Sequence, residues 1–142
     1  MIYWRGGILA AVLLSSAVCW ASRPMRSANR LWATSAEDLR ARVGQTLSHF
    51  CPPCGETDQV TGNNPYTTPS TICSAAVHAG LITRERGGWV VIKVQKFIET
   101  YKSSYRNGVH SQKYDMPAAE KYRVNARSFI FPAAKLDLPR LK

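Results

Sequence analysis

The chain has 142 residues, 45% of them hydrophobic, and 19 Lys and Arg against 9 Asp and Glu give a net charge of +10. That length suits one domain, and past the N-terminus no apolar run approaches the ~20 residues that a membrane-spanning helix needs, which excludes a multi-span protein. The basic excess favours encounters with polyanions such as acidic glycans, anionic lipid or nucleic acid, or else serves only solubility.

Met1–Ala21 carries one basic residue, Arg5, and then an apolar run from Gly7 to Val18. Cys19 and Ala21 stand at the −3 and −1 positions of a cleavage site before Ser22, so residues 1–21 are expected to be a secretory signal peptide and the protein to be secreted and extracellular. Residues 22–142 keep 18 cationic side chains against the same 9 acidic ones, a net +9 that is spread along the chain.

Residues 22–33 show no clear apolar period and are expected to be a leader. Leu39, Val43, Leu47 and Phe50 recur at spacings of four, four and three, which predicts an amphipathic helix over 35–48. Thr34 with Glu37, and Ser35 with Asp38, offer capping-box chemistry at its start. Residues 51–68 are rich in Pro, Gly, Asn and Thr and predict turns, with one short strand near Val60.

A second helix is expected from Thr68 as N-cap and Pro69 as first helical residue. It runs through Ile72, Cys73, Ala75, Ala76 and Val77 to a left-handed cap at Gly80. It is apolar nearly all round, the mark of a helix buried on most sides. Gly87-Gly88 then leads into residues 89–97, where Val90, Ile92 and Val94 alternate with Val91, Lys93 and Gln95, a strand with one core face. Asn107-Gly108 is a turn signal between short extended pieces. Residues 113–125 are polar and expected to form a loop, Ser128–Phe131 a closing strand, and residues 132–142 a basic tail. The class is α+β.

One string joins these elements: Val60, Gly62, Tyr66, Ser70, Ile72, Cys73, Ala75, Ala76, Val77, His78, Ala79 and Gly80, followed by Gly87-Gly88, Tyr101, Asn107-Gly108-Val109 and Ser111. Together they resemble the LCCL domain signature over about residues 50–131. The resemblance implies a central buried helix wrapped by twisted antiparallel β-sheet. It also implies an extracellular module without catalytic residues, taking lipopolysaccharide, glycosaminoglycan or another polyanion as ligand. Carried over residue by residue, it implies a Cys54–Cys73 bridge. Cys51 is then left free or intermolecular, since the upstream Cys19 would leave with the signal peptide. Cys51–Cys73 is the rival pairing, which sequence does not decide.

Sharper chemistries are disfavoured. Cys51-Pro52-Pro53-Cys54 has redox-dithiol spacing, but the turn-forming residues after it do not build the helix that lowers the first thiol's pKa in such enzymes. Cys51, Cys54, Cys73 and His78 offer zinc-ligand types. Yet Cys73 and His78, five residues apart, point about 140° apart around a helix, and an oxidising compartment favours the disulfide. No metal or cofactor is expected. His78 is expected to be a core histidine bonded to a loop. Trp32 and Trp89 are either a sugar-stacking surface or core. A protein partner is the second functional reading, and no specific nucleic-acid partner is expected.

Overall fold

The computed structural model describes Cys19, residues 26–118 and residues 127–134. The expected signal peptide apart from Cys19, residues 22–25 of the expected leader, residues 119–125 of the expected loop, and the tail from residue 135 onward lie outside the described residues. The elements are α1 (Arg26–Ala33), β1 (Thr46–Cys51), β2 (Val60–Thr61), β3 (Tyr66–Thr67), α2 (Ile72–His78), β4 (Gly88–Lys96), β5 (Thr100–Tyr101), β6 (Ser104–Arg106), β7 (Val109–Gln112), β8 (Tyr114–Asp115) and β9 (Arg127–Ile130). The class is mixed α+β, as expected.

The main sheet runs β1-β4-β9-β3 and is antiparallel throughout. Its longest ladder sets β1 on β4, from Thr46↔Lys93 to Cys51↔Gly88. Val90, Ile92 and Val94 face the core as their alternation predicted, while Trp89, Val91 and Lys93 face outward. A second sheet, β2-β7-β6, includes one parallel pair, β2 with β7, which departs from the expected all-antiparallel arrangement. Its β6–β7 hairpin turns at Asn107 and Gly108, with φ of 51° and 78°. Those values are the left-handed pair that a two-residue primed turn requires.

Every residue of α2 is buried, with Ile72, Cys73, Ser74, Ala75, Ala76 and His78 at 0% exposure. The alanines let neighbouring backbone approach it closely. Gly80, at φ 79°, closes the helix in the left-handed conformation. The start, however, lies at Ile72 and not at Pro69. Ser70 Oγ is engaged by Thr61 N–H at 3.0 Å and lies 3.0 Å from Thr67 Oγ1, which holds Thr68–Ser70 in a turn. The Ile72 N–H is taken by Thr34 O at 3.0 Å, a tertiary partner for a helix-end donor.

The expected 35–48 helix is corrected. Its capping chemistry forms: the Ser35 N–H donates to Asp38 Oδ2 at 2.8 Å, and the Asp38 N–H donates to Ser35 Oγ at 3.1 Å. The turn then stops, because Arg40 and Gly44 adopt φ of 50° and 85° and redirect the chain into β1. Leu39 and Val43, read as core, are 42% and 50% exposed, whereas Ala36 and Ala41 are buried. Leu47, His49 and Cys51 alternate inward along β1 with period two. Pairing six residues with β4 outweighs a single helical turn.

The leader expectation is corrected as well, since residues 26–33 form α1. This half-polar helix is held by the buried Trp32 and by its Leu31 carbonyl, which lies 2.9 Å from His49 Nε2. The Trp32 indole N–H donates to Pro52 O at 2.8 Å, and the ring lies so close to Gly55 that an added Cβ would overlap it. At the other end of the core, Tyr66, Phe129 and Phe131 pack with ring centroids 5.6–5.8 Å apart. The Asn64 side chain accepts the Phe131 N–H at 2.9 Å and closes β9 against the turn before β3.

Candidate ligand face and the buried signature residues

Two disulfides staple the fold, and both differ from the expected pairing. Cys51 is bonded to Cys73 and Cys54 to Cys19. The expected Cys54–Cys73 bridge and the unpaired Cys51 are therefore corrected, and Cys19 belongs to the folded domain. The physical reason is strand register. Cys51 ends β1 with its side chain inward, at 0% exposure beside α2, whereas Cys54 sits after the turn at φ 60° and is only half-buried. The inward cysteine meets the helix, and the outward one meets the N-terminal segment.

These pairings also decide the redox and metal readings. Cys51 and Cys54 are not bonded to each other, so the Cys-x2-Cys is no dithiol couple. His49, Cys51 and Cys73 bring potential ligand atoms within 4.8 Å of one another, but the two sulfurs form a bridge and neither is a thiolate. His78 is not in that group.

The signature residues lie where they build the core and its turns. His78 is fully buried, with Nδ1 2.7 Å from Tyr66 Oη and Nε2 2.8 Å from Ser104 Oγ. Its own carbonyl accepts from Asn107 Nδ2 at 3.2 Å, which ties α2 to the hairpin turn. The core histidine is as expected, but its ring meets two strand hydroxyls where a loop carbonyl was expected, and only its backbone carbonyl bonds the turn. Burial holds the His78 pKa below the usual imidazole value, against a hydrogen bond from Ser104, and nearby Arg106 lowers it further. Burial also raises the Tyr66 phenol. The imidazole is neutral, one nitrogen donating and the other accepting, and two hydroxyls complement either tautomer. Although Ser104–His78–Tyr66 has the contacts of a nucleophile, base and orienting group, Tyr66 stays protonated and carries no charge to stabilise an imidazolium.

Ser111 Oγ donates to Gly62 O, and Tyr101 accepts the Ile98 N–H at 3.3 Å while its ring packs against Gly62. Gly87, at φ 60°, brings the backbone against Cys51 O, and Gly88 follows at φ 143°. Ile72, Ala75 and Ala76 are core, and Ser70 braces the turn before α2.

What remains open to solvent is the outer face of β1 and β4. Trp89 is 71% exposed and stands directly opposite Phe50, ring centroids 5.2 Å apart and tilted by 44°. Ser48 lies opposite the exposed Val91, and Thr46 opposite Lys93. These six positions form one strip, with an aromatic pair at one end, Thr46 and the Lys93 cation at the other, Ser48 and Val91 between, and no acidic residue. Trp32 does not share it, being buried at 4% exposure. The helical reading of 35–48 hid Phe50, Ser48 and Thr46. The alternating Thr46–Cys51 segment was the signal that could have found them. Elsewhere a shallow groove of about 350 Å³ runs between Thr57, Gly80, Arg84, Glu85 and Asn107. It carries an exposed Arg84–Glu85 pair at 3.9 Å.

Comparison with known proteins finds related sequences. The human "Cysteine-rich secretory protein LCCL domain-containing 2" is 45% identical over 68 residues, 47% of this chain and 14% of that protein. Human "Cysteine-rich secretory protein LCCL domain-containing 1" is 39% identical over 69 residues, 48% of this chain and 14% of that protein, and the chicken protein of that name is 38% identical over 71 residues. The match thus spans about one-seventh of these relatives. A family model described as LCCL domain matches residues 26–121, so the matched region starts at α1, well upstream of residue 50. With α1, both inner cysteines, the buried α2 and the β6–β7 hairpin all inside that match, the chain belongs to the LCCL domain family.

Proposed function

We propose that the chain is a secreted, non-catalytic binding module whose ligand is an anionic carbohydrate of the lipopolysaccharide or glycosaminoglycan type. The observation that carries this reading is the outer strip of β1 and β4, where the exposed Trp89 ring leans on Phe50 and Lys93 lies on the same face. An indole presents a broad apolar face with a polar edge and suits a sugar ring, apolar on its C–H face and wet at its rim. Exposed apolar patches of this kind mark interaction sites, and the net +9 left once the segment holding Arg5 is removed draws polyanions toward the surface. Two disulfides and relatives named as secretory proteins support an extracellular setting. In this reading α2, with sheet packed around it, is the family's central helix.

The test is retention on heparin and on immobilised lipopolysaccharide across a salt gradient. Retention at low salt that falls steeply with salt, and falls again in Trp89→Ala and Lys93→Gln, is the expected result. Retention untouched by both substitutions removes this face from the proposal. The second reading, a protein-interaction module, rests on the same Trp89–Val91 patch. It is favoured if no glycan is retained while Trp89→Ala abolishes capture of a protein partner.

A further inference from the structure

We infer that the leader is removed by hydrolysis of the Ala17–Val18 peptide bond, so that the mature chain begins Val18-Cys19 and keeps the cysteine its second disulfide needs. The inference rests on the secretory reading above and concerns where the secreted chain begins.

The structural premise is the Cys19–Cys54 bridge, with Cα atoms 5.3 Å apart. Cleavage before Ser22 would discard Cys19. Cys54 would then remain as an odd thiol three residues from Cys51, in a compartment where a thiolate attacks neighbouring disulfides. The Cys51–Cys73 bridge, buried between β1 and α2, would be the nearest target. A domain whose cysteines are all paired avoids that exchange, and among the described residues none is free.

The sequence supplies a site that leaves Cys19 in place. After the basic Arg5, the uninterrupted apolar run is Gly7–Leu14, within the 7–15 residues usual for a signal-peptide core. Ser15, Ser16 and Ala17 follow, with small residues at −3 and −1 of the Ala17–Val18 bond. The cut before Ser22 would instead place Cys19 at −3 and the bulky Trp20 at −2. In the step itself, a membrane-bound leader peptidase adds one water across the amide. Ala17 receives the carboxylate and Val18 the α-amino group, and no oxidant is consumed. Cys19 is then one residue from the new terminus and pairs with Cys54 by thiol–disulfide exchange, a disulfide donor of the same compartment taking up the two electrons and two protons as a dithiol.

The experiment expresses the full chain in a eukaryotic secretory host and reads the N-terminus and intact mass of the secreted protein, followed by non-reducing tryptic mapping. A start at Val18 is expected, with the Cys19 peptide disulfide-linked to the peptide spanning residues 43–84 and released from it on reduction. That link should vanish in Cys54→Ser. A secreted chain starting at Ser22 overturns the inference and leaves the secretory reading standing. A cell-retained chain starting at Met1 overturns both. Ala17→Asp is expected to block processing and Ala21→Asp to leave the start at Val18, and the reverse pattern overturns the assignment.

Discussion

The Tyr66 hydroxyl lies 2.7 Å from Nδ1 of His78, and both side chains are shut away from solvent. Ser104 meets the other ring nitrogen from the β6 strand, so the imidazole joins β3, α2 and the β6–β7 hairpin. A proton added to this ring would leave both nitrogens as donors in a buried site with Arg106 nearby.

The pH dependence follows from that arrangement. His78 has a folded-state pKa below its ordinary 6.5. As pH falls through the unfolded-state value, the unfolded chain takes up a proton that the native chain refuses. Stability contributed by neutral His78 is therefore fully present above about pH 6.5 and is lost as pH falls below it. Urea midpoints measured at pH 7.5 and 5.5 are expected to drop on acidification. His78→Gln should be less stable at pH 7.5 but should show a smaller drop between the two. An equal drop in both proteins would remove His78 as the source.

Both disulfides have distinct expected consequences. Cys73→Ser opens the 22-residue Cys51–Cys73 connection, a loss of roughly 3 kcal/mol in the chain-entropy treatment. It also leaves Cys51 as a lone thiol in the core. Cys54→Ser should retain the Cys51–Cys73 bridge and a folded core, with α1 less firmly held. Denaturant titration with mass mapping separates the two. Loss of the core bridge in Cys54→Ser would show that the staples depend on each other.

The parts of the fold that were legible in sequence are those whose local chemistry and tertiary demand agree. The all-apolar run of α2, the Val90–Val94 alternation and Asn107-Gly108 each had one solution, and each formed. Residues 35–48 had two. Their 3.6-residue period competed with a strand period starting at Thr46, and the strand prevailed because β4 offered a full ladder that no local count contains. Cysteine pairing was hidden for the same reason. Whether Cys51 or Cys54 faces α2 depends on the register of β1, which is fixed by its partner strand. The β1 half of the candidate face followed suit, for a residue cannot be placed on the outside of a strand read as a helix.

The tight glycines predict a graded response. Gly87 combines φ 60° with a backbone approach to Cys51 and Pro52 that leaves no room for a Cβ. Gly108, at φ 78°, has open space around it. Gly108→Ala should therefore cost only the backbone term, about 1–2 kcal/mol, with the β6–β7 hairpin intact. Gly87→Ala must in addition push β4 away from the end of β1, and it should abolish secretion of folded protein. Comparable yields and midpoints for the two variants would contradict the close approach.

The two tryptophans give the sharpest separation between fold and function. Trp32 is buried, donates its indole N–H to Pro52 O and covers Gly55, so Trp32→Ala removes a core ring and a satisfied hydrogen bond together. A loss of about 3–5 kcal/mol is expected. Trp89 touches chiefly Phe50 and is 71% exposed, so Trp89→Ala should lose only the aromatic-pair contribution, about 0.5–1.5 kcal/mol. In ligand retention the order should reverse. Trp89→Ala should elute early while folding normally, and whatever Trp32→Ala protein remains folded should bind as the parent does, since its outer strip is intact. Chemical-denaturation midpoints and heparin elution on the same preparations read both quantities. If Trp89→Ala is destabilised as severely as Trp32→Ala, its ring is structural. If Trp89→Ala is stable and elutes with the parent, the aromatic end of the strip is not where the ligand sits.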